Sequence, residues 1–147
     1  MPSKDTMARL LAAKQAASAV SREFAAERER GTLTRERCEG LVARFVWAKF
    51  RLDEDEARLA GEEMEALAQA SLVKMLRIAP ELVVREDRAA NCDGADSATV
   101  KQALVIMALR RELDVDFDCF AAGLARTTSE LAGIVWEAAR QGGGSAG

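Results

Sequence analysis

A serine at the junction of a loop and a helix is the first candidate for chemistry in this chain of 147 residues. The stretch CDGADSATVKQALVIMALRRELDV, residues 92–115, carries Gly94, Asp96 and Ser97 in a polar loop that leads into a strongly apolar segment. Asp and Ser are favoured helix N-caps, because their oxygens accept hydrogen bonds from the first free backbone N–H groups. The Ser97 hydroxyl is therefore either a simple cap or the acceptor of a covalently attached group.

Other reactive side chains are scarce. The chain has no histidine, and its three cysteines, Cys38, Cys92 and Cys119, stand far apart. The commonest general base and every Ser–His or Cys–His pair are therefore absent, and zinc held by thiolate and imidazole is disfavoured. We expect reduced thiols, with Cys38 and Cys119 packed as small hydrophobic residues, no metal site, and a protein that is not an enzyme.

Composition narrows the classes of partner. A net charge of −3 and an aromatic content of 5% do not favour nucleic-acid binding, which needs cations for the phosphates. No apolar run approaches the roughly 20 residues of a membrane span. The N-terminus MPSKDTMARLL lacks the apolar core of a secretory signal, so we expect a cytoplasmic protein.

Almost the whole chain has a helical pattern, because Ala, Leu, Glu and Arg dominate and Pro occurs only at positions 2 and 80. Gly31 is expected to stop the first helix, and Pro80 the helix before the long connection at 79–96. The apolar spacing predicts helices over residues 4–30, 35–50, 53–79 with a break at Gly61, 97–113, 120–124 and from Thr127 onward.

Three caps support these boundaries. Thr34 is placed to cap the second helix, Asp53 with Glu56 to form a capping box, and Thr127 with Glu130 to form another in TTSE. The acidic run from Asp53 to Glu56 is interpreted as a cap with a solvated face and not as a metal site.

The first 61 residues contain two amphipathic helices whose apolar stripes must be buried. They could pack on the rest of the chain, pair with a second copy, or bind another protein. Their charged residues alternate in sign, and Glu27 is spaced to pair with Arg30 on its own helix, so we interpret this surface as solvated.

The second half, residues 62–140, resembles the acyl carrier protein family, which includes peptidyl and aminoacyl carriers. The order long helix, long loop, apolar helix, short helix, last helix is that of the family. The local matches are KMLRIAPELV, GADS, VIMALRREL, DVDF and TTSELAGIV.

The resemblance implies a carrier-type four-helix bundle with 4′-phosphopantetheine attached to Ser97, preceded by Asp96 and Gly94. The thiol of this cofactor would hold an acyl or aminoacyl group as a thioester for fatty acid, polyketide or related biosynthesis. A phosphopantetheinyl transferase and acyl-processing enzymes would be the partners.

The chain differs from the family at three points. Ala98 stands where a bulky aliphatic residue is usual. VIMALRREL lies two residues late relative to GADS, so the helix either has an insertion or begins at Thr99. The family's acidic docking helix is basic here. Either different partners contact Lys101, Gln102, Arg110 and Arg111, or the fold has been kept and the cargo lost.

The sequence thus predicts an all-α protein in three parts: a helical extension at 1–61, a carrier-like domain at 62–140 and a flexible tail at 141–147. The alternative function is an unmodified carrier-fold interaction module that acts through its N-terminal helices, which could also form a homodimer. Mass spectrometry distinguishes the two functions, because only a carrier would gain the mass of a phosphopantetheinyl group on Ser97.

Overall fold

The computed structural model describes residues 4–78 and 97–145, and within these ranges the ordered elements are α-helices with no β-strand. The all-α prediction is therefore confirmed. In chain order the helices are α1 (Lys4–Arg30), α2 (Arg35–Lys49), α3 (Glu54–Ala60), α4 (Met64–Ile78), α5 (Ser97–Leu113), α6 (Cys119–Gly123) and α7 (Thr128–Ser145).

The predicted breaks between the first helices are confirmed. Gly31 and Gly61 adopt positive φ angles of 72° and 94°, which glycine reaches without steric cost. Thr34 caps α2 by accepting a hydrogen bond from the Arg37 N–H. Asp53 caps α3 in a reciprocal box, in which Glu56 accepts from the Asp53 N–H. Local chemistry therefore fixes the end of α1, the start of α2 and both ends of α3.

The last helix differs from its prediction in two details. Thr127 accepts a hydrogen bond from the Glu130 N–H at 3.1 Å, but the Glu130 carboxylate accepts from the Arg126 N–H at 2.8 Å, one residue before the expected donor. In addition, α7 continues to Ser145, so most of the predicted tail is helical. Glycine lowers helix stability by about 1 kcal/mol per residue relative to alanine, which disfavours a helix without forbidding it.

One hydrophobic core joins the two halves of the chain. Helix α2 packs against α1 on one side and α7 on the other, and it also contacts α5. Its buried side chains Phe45 and Val46 belong to the same cluster as Leu109 of α5 and Leu131 of α7. The apolar stripes of residues 1–61 are thus covered mainly by the rest of the same chain, which was the first of the three alternatives.

A short backbone link holds the two ends of the second half together. The Met64 N–H donates to the Arg126 carbonyl at 2.7 Å, and the Thr128 N–H donates to the Glu62 carbonyl at 3.0 Å. This isolated antiparallel bridge places the start of α4 beside the start of α7. Pro80 and the connection at 79–96 lie outside the described residues.

Candidate attachment site at Ser97

Helix α5 begins at Ser97, as predicted, and not at Thr99. The Ser97 side chain is half-buried, whereas the next residue, Ala98, is buried in the core. A larger residue at position 98 would need space that the packed core does not leave open. Gly94 and Asp96, the other two predicted site residues, lie outside the described residues.

The first turn of α5 has the electrostatics expected of an anion site. The first four N–H groups of an α-helix have no partner within the helix, and the helix dipole adds partial positive charge there. The first turn of α5 contains no acidic residue. A phosphodiester on the Ser97 oxygen would therefore lie at the end of the helix where the dipole favours negative charge.

The four residues predicted to bind partners do not form one surface. Lys101 is only 7% exposed, while Gln102 is half-buried and Arg110 and Arg111 are exposed. Lys101 and Arg110 lie about two and a half turns apart, which places them on opposite sides of α5. The surface available to a partner therefore consists of the basic C-terminal turn of α5, and Lys101 belongs to the inner side of the helix.

The positive charge of the exposed basic turn is partly neutralised by acidic side chains of the same chain. Arg110 donates a hydrogen bond to Asp116, which raises the pKa of the guanidinium above its ordinary value. Arg111 lies 3.5 Å from the Glu112 carboxylate, but Glu112 is held more closely by Lys49 at 2.6 Å. Arg111 is therefore the cation of this turn that remains most available to an acidic partner.

An acyl chain attached at Ser97 would need apolar side chains to shelter it, and the sequence offers five candidates that divide into two groups: Leu104, Val105, Met107, Leu109 and Val115. Val105, Leu109 and Val115 are buried in the core, whereas Leu104 and Met107 are exposed on α5. The first three residues already fill space in the bundle, so only the exposed pair could contact an attached chain without repacking.

The described cysteines are placed for packing. Cys38 is fully buried between α2 and α7, and burial, assisted by the charge of Glu39, raises the pKa of its thiol to about 12. A thiol that stays protonated is a weak nucleophile. Cys119 is half-buried against the core, and Cys92 lies outside the described residues.

The described part of the chain also bears on metal binding and on membrane insertion. No group of three or more acidic or cysteine side chains there is arranged to hold a metal ion, and the acidic run at the start of α3 serves as a helix cap. None of the described helices is long and apolar enough to cross a membrane.

The pattern of residues did not show the ion-pair network that joins α1 to α2. Arg37 donates to both carboxylate oxygens of Glu27, at 2.9 and 2.7 Å, and also to Glu23 at 3.0 Å. Arg44 lies 3.1 Å from Glu23. Glu27 is buried, so the interpretation of this region as wholly solvated is wrong, because its partner comes from the neighbouring helix.

Comparison of this chain with protein families, with curated proteins and with solved structures found no match.

Proposed function

We propose that this protein carries an acyl or aminoacyl group as a thioester on 4′-phosphopantetheine attached to Ser97. The observation that carries the proposal is the start of α5 at Ser97 with the side chain partly exposed. The order of helices α4 to α7 and the residues that resemble carrier motifs support it. The absence of histidine is compatible, since a carrier does no bond-making chemistry with its own side chains.

Attachment needs only the hydroxyl of Ser97 from this chain. In the active site of a transferase, the serine oxygen would attack the phosphorus of coenzyme A that bears the pantetheine. A P–O bond to the serine oxygen forms, the P–O bond to the departing adenosine 3′,5′-bisphosphate breaks, and the hydroxyl proton passes to a base of the transferase. The product is a phosphodiester whose anionic charge lies at the start of α5, where the helix dipole favours it.

The test is the intact mass of the protein after incubation with coenzyme A and a broad-specificity phosphopantetheinyl transferase. The proposal expects a gain of one phosphopantetheinyl group that Ser97→Ala abolishes. Thr99→Ala is the matched control, since Thr99 is an exposed hydroxyl residue two positions further along the same turn, and this variant should still be modified. An unchanged mass of the wild-type protein contradicts the carrier function.

A second candidate is an unmodified helical interaction module. It is favoured by the way α1 and α2 are built into the core, since a minimal carrier has no such helices. This function expects no mass change at Ser97 under the same conditions, so the same experiment separates the two candidates.

A further inference from the structure

A pocket of about 430 Å³ lies where the start of α7 meets α2 and the turn between α3 and α4. Ligand pockets in proteins usually measure about 300 to 1,000 Å³, so this one has room for a small organic molecule. Its apolar wall includes Ala43 and Trp47 of α2 and Ala57 of α3. Ser97 does not line this pocket, which is therefore separate from the candidate attachment site.

Three carboxylates line the pocket, those of Glu36, Glu39 and Glu62. None of the three forms an ion pair with a residue in the described ranges 4–78 and 97–145. The guanidinium of Arg58 also lines the pocket, but it pairs with Glu54, which lies outside it. The pocket thus has a net charge of −3 + 1 = −2 even when the charge of Arg58 is counted in full.

A buried hydroxyl residue forms part of the same lining. Thr128 is 6% exposed, and its backbone N–H already donates to the Glu62 carbonyl at 3.0 Å. The Thr128 hydroxyl makes no hydrogen bond with any residue that the structure describes. Since buried polar groups nearly always have a hydrogen-bond partner, this oxygen has an open position for a donor group of a ligand. The next residue, Ser129, donates to the Glu39 carboxylate at 2.7 Å and so holds it near the start of α7.

The arrangement favours an organic cation over a metal ion. No three acidic or cysteine side chains in the described part of the chain are placed to hold one metal ion together. Negative charges that are spread over a pocket fit a ligand whose ammonium groups are separated by methylene groups. The methylene groups would lie against the alanines of the wall, and the Trp47 ring would attract a neighbouring ammonium group. An ammonium group also donates the hydrogen bond that the Thr128 hydroxyl can accept.

We propose that this pocket binds a linear polyamine, with its ammonium groups held by the carboxylates of Glu36, Glu39 and Glu62 and by the hydroxyl of Thr128. The net charge of −3 on the whole chain adds to the attraction of a polycation. The proposal concerns a site other than Ser97, so it does not depend on whether Ser97 is modified.

The test is calorimetric titration of the full chain with spermidine at low ionic strength, where charge pairs are weakly screened. Glu36→Gln/Glu62→Gln should weaken binding by about tenfold, because two of the three carboxylates lose their charge. Thr128→Val should weaken binding by about fivefold, since it removes the hydroxyl and keeps the shape of the side chain. This variant should unfold at no lower a temperature than the wild type, because the hydroxyl makes no bond with the described residues.

Glu29→Gln/Glu65→Gln is the matched control, because it removes two charges from exposed residues that do not line the pocket. It should bind spermidine as the wild type does. A wild-type protein that binds no spermidine up to about 1 mM, the weak end of specific affinities, overturns the proposal. A Glu36→Gln/Glu62→Gln variant that binds normally, or a control variant weakened to the same degree, also overturns it.

Tryptophan fluorescence reports on the pocket itself, since Trp47 lines it and Trp136 does not. Spermidine should change the fluorescence of Trp136→Phe, in which Trp47 is the remaining tryptophan. Trp47→Phe, which has only Trp136, should show no comparable change. A fluorescence change confined to Trp47→Phe would place the bound spermidine elsewhere and would overturn the proposal.

Discussion

At the residue scale, Glu27 is a buried carboxylate whose charge is held by one guanidinium. Hydrogen bonds from Arg37 lower the pKa of Glu27 below its ordinary value of 4.5, although burial alone would raise it. A carboxylate with a lowered pKa stabilises the fold above pH 4.5, and this contribution is lost as the pH falls through the pKa of the folded state.

Glu27→Gln should therefore lower the midpoint of unfolding at pH 7, because the amide removes the charge that Arg37 contacts. The difference between wild type and variant should shrink as the pH falls below 4.5. Thermal unfolding followed by circular dichroism between neutral and acidic pH measures both effects.

Glu36→Gln is the control for this experiment, since Glu36 is exposed in the first turn of α2 and makes no ion pair with the described residues. It should unfold at nearly the wild-type midpoint at each pH. A constant difference between Glu27→Gln and the wild type across the pH range would contradict the role assigned to the Glu27 charge.

The start of α5 at Ser97 and the burial of the residues along α5 were only partly predicted from the sequence. The start of α5 follows from local chemistry, because a polar loop, a serine and an apolar segment occur in that order. The burial of Lys101 could also have been predicted from the apolar pattern, because Lys101 lies on one helical stripe with Ala98, Val105 and Leu109. The charge of Lys101 suggested a position on the surface, but its place in this stripe makes it a buried residue.

At the scale of elements, a buried hydrogen bond joins α4 to the end of α2. The Ser71 hydroxyl donates to the Phe50 carbonyl at 2.7 Å, and both residues are buried. Lys74 donates to the next carbonyl, that of Arg51, at 2.6 Å. The last carbonyls of a helix have no partner within it, so α4 satisfies groups that α2 leaves open.

Ser71→Ala should lower the free energy of unfolding by about 1–3 kcal/mol, because the Phe50 carbonyl would remain buried without a donor. Urea unfolding measures the loss. Ser129→Ala is the comparison: Ser129 donates to Glu39 at 2.7 Å in a half-buried position that water can reach, so its loss should be smaller. An equal or larger loss at Ser129 would contradict this explanation.

Helix boundaries were predicted well where a single residue type determines them. Gly31 and Gly61 end helices through their positive φ angles, and Asp53 begins one through its side chain. The end of α7 was predicted less well, since glycines only weaken a helix and α7 runs to Ser145. The partner of Glu27 on α2 could not be predicted, because no local spacing specifies which helices become neighbours.

At the scale of the whole molecule, the boundary proposed after residue 61 does not divide the core. Phe45 of the first part and Leu131 of the second belong to one cluster of buried residues. Segments that share a core of this kind unfold together, since neither can lose its contacts without exposing the other. The sequence showed that the apolar stripes of the first two helices must be buried, but not that α7 is the helix that buries them.

The two tryptophans report on the two parts, with Trp47 on α2 and Trp136 on α7. Trp47→Phe leaves only Trp136 as a fluorescent probe, and Trp136→Phe leaves only Trp47. In each variant we expect the fluorescence transition in urea to coincide with the circular dichroism transition. A fluorescence midpoint that differs from the circular dichroism midpoint of the same variant would show that the two parts unfold independently.

The carrier function is tested most directly by the intact mass of the protein purified from its own host, followed by mass spectrometry of its peptides. The account predicts a fraction of molecules that is heavier by one phosphopantetheinyl group, with the added mass on the peptide that contains Ser97. A protein that has only its unmodified mass, while known carriers purified from the same cells are loaded, would contradict it.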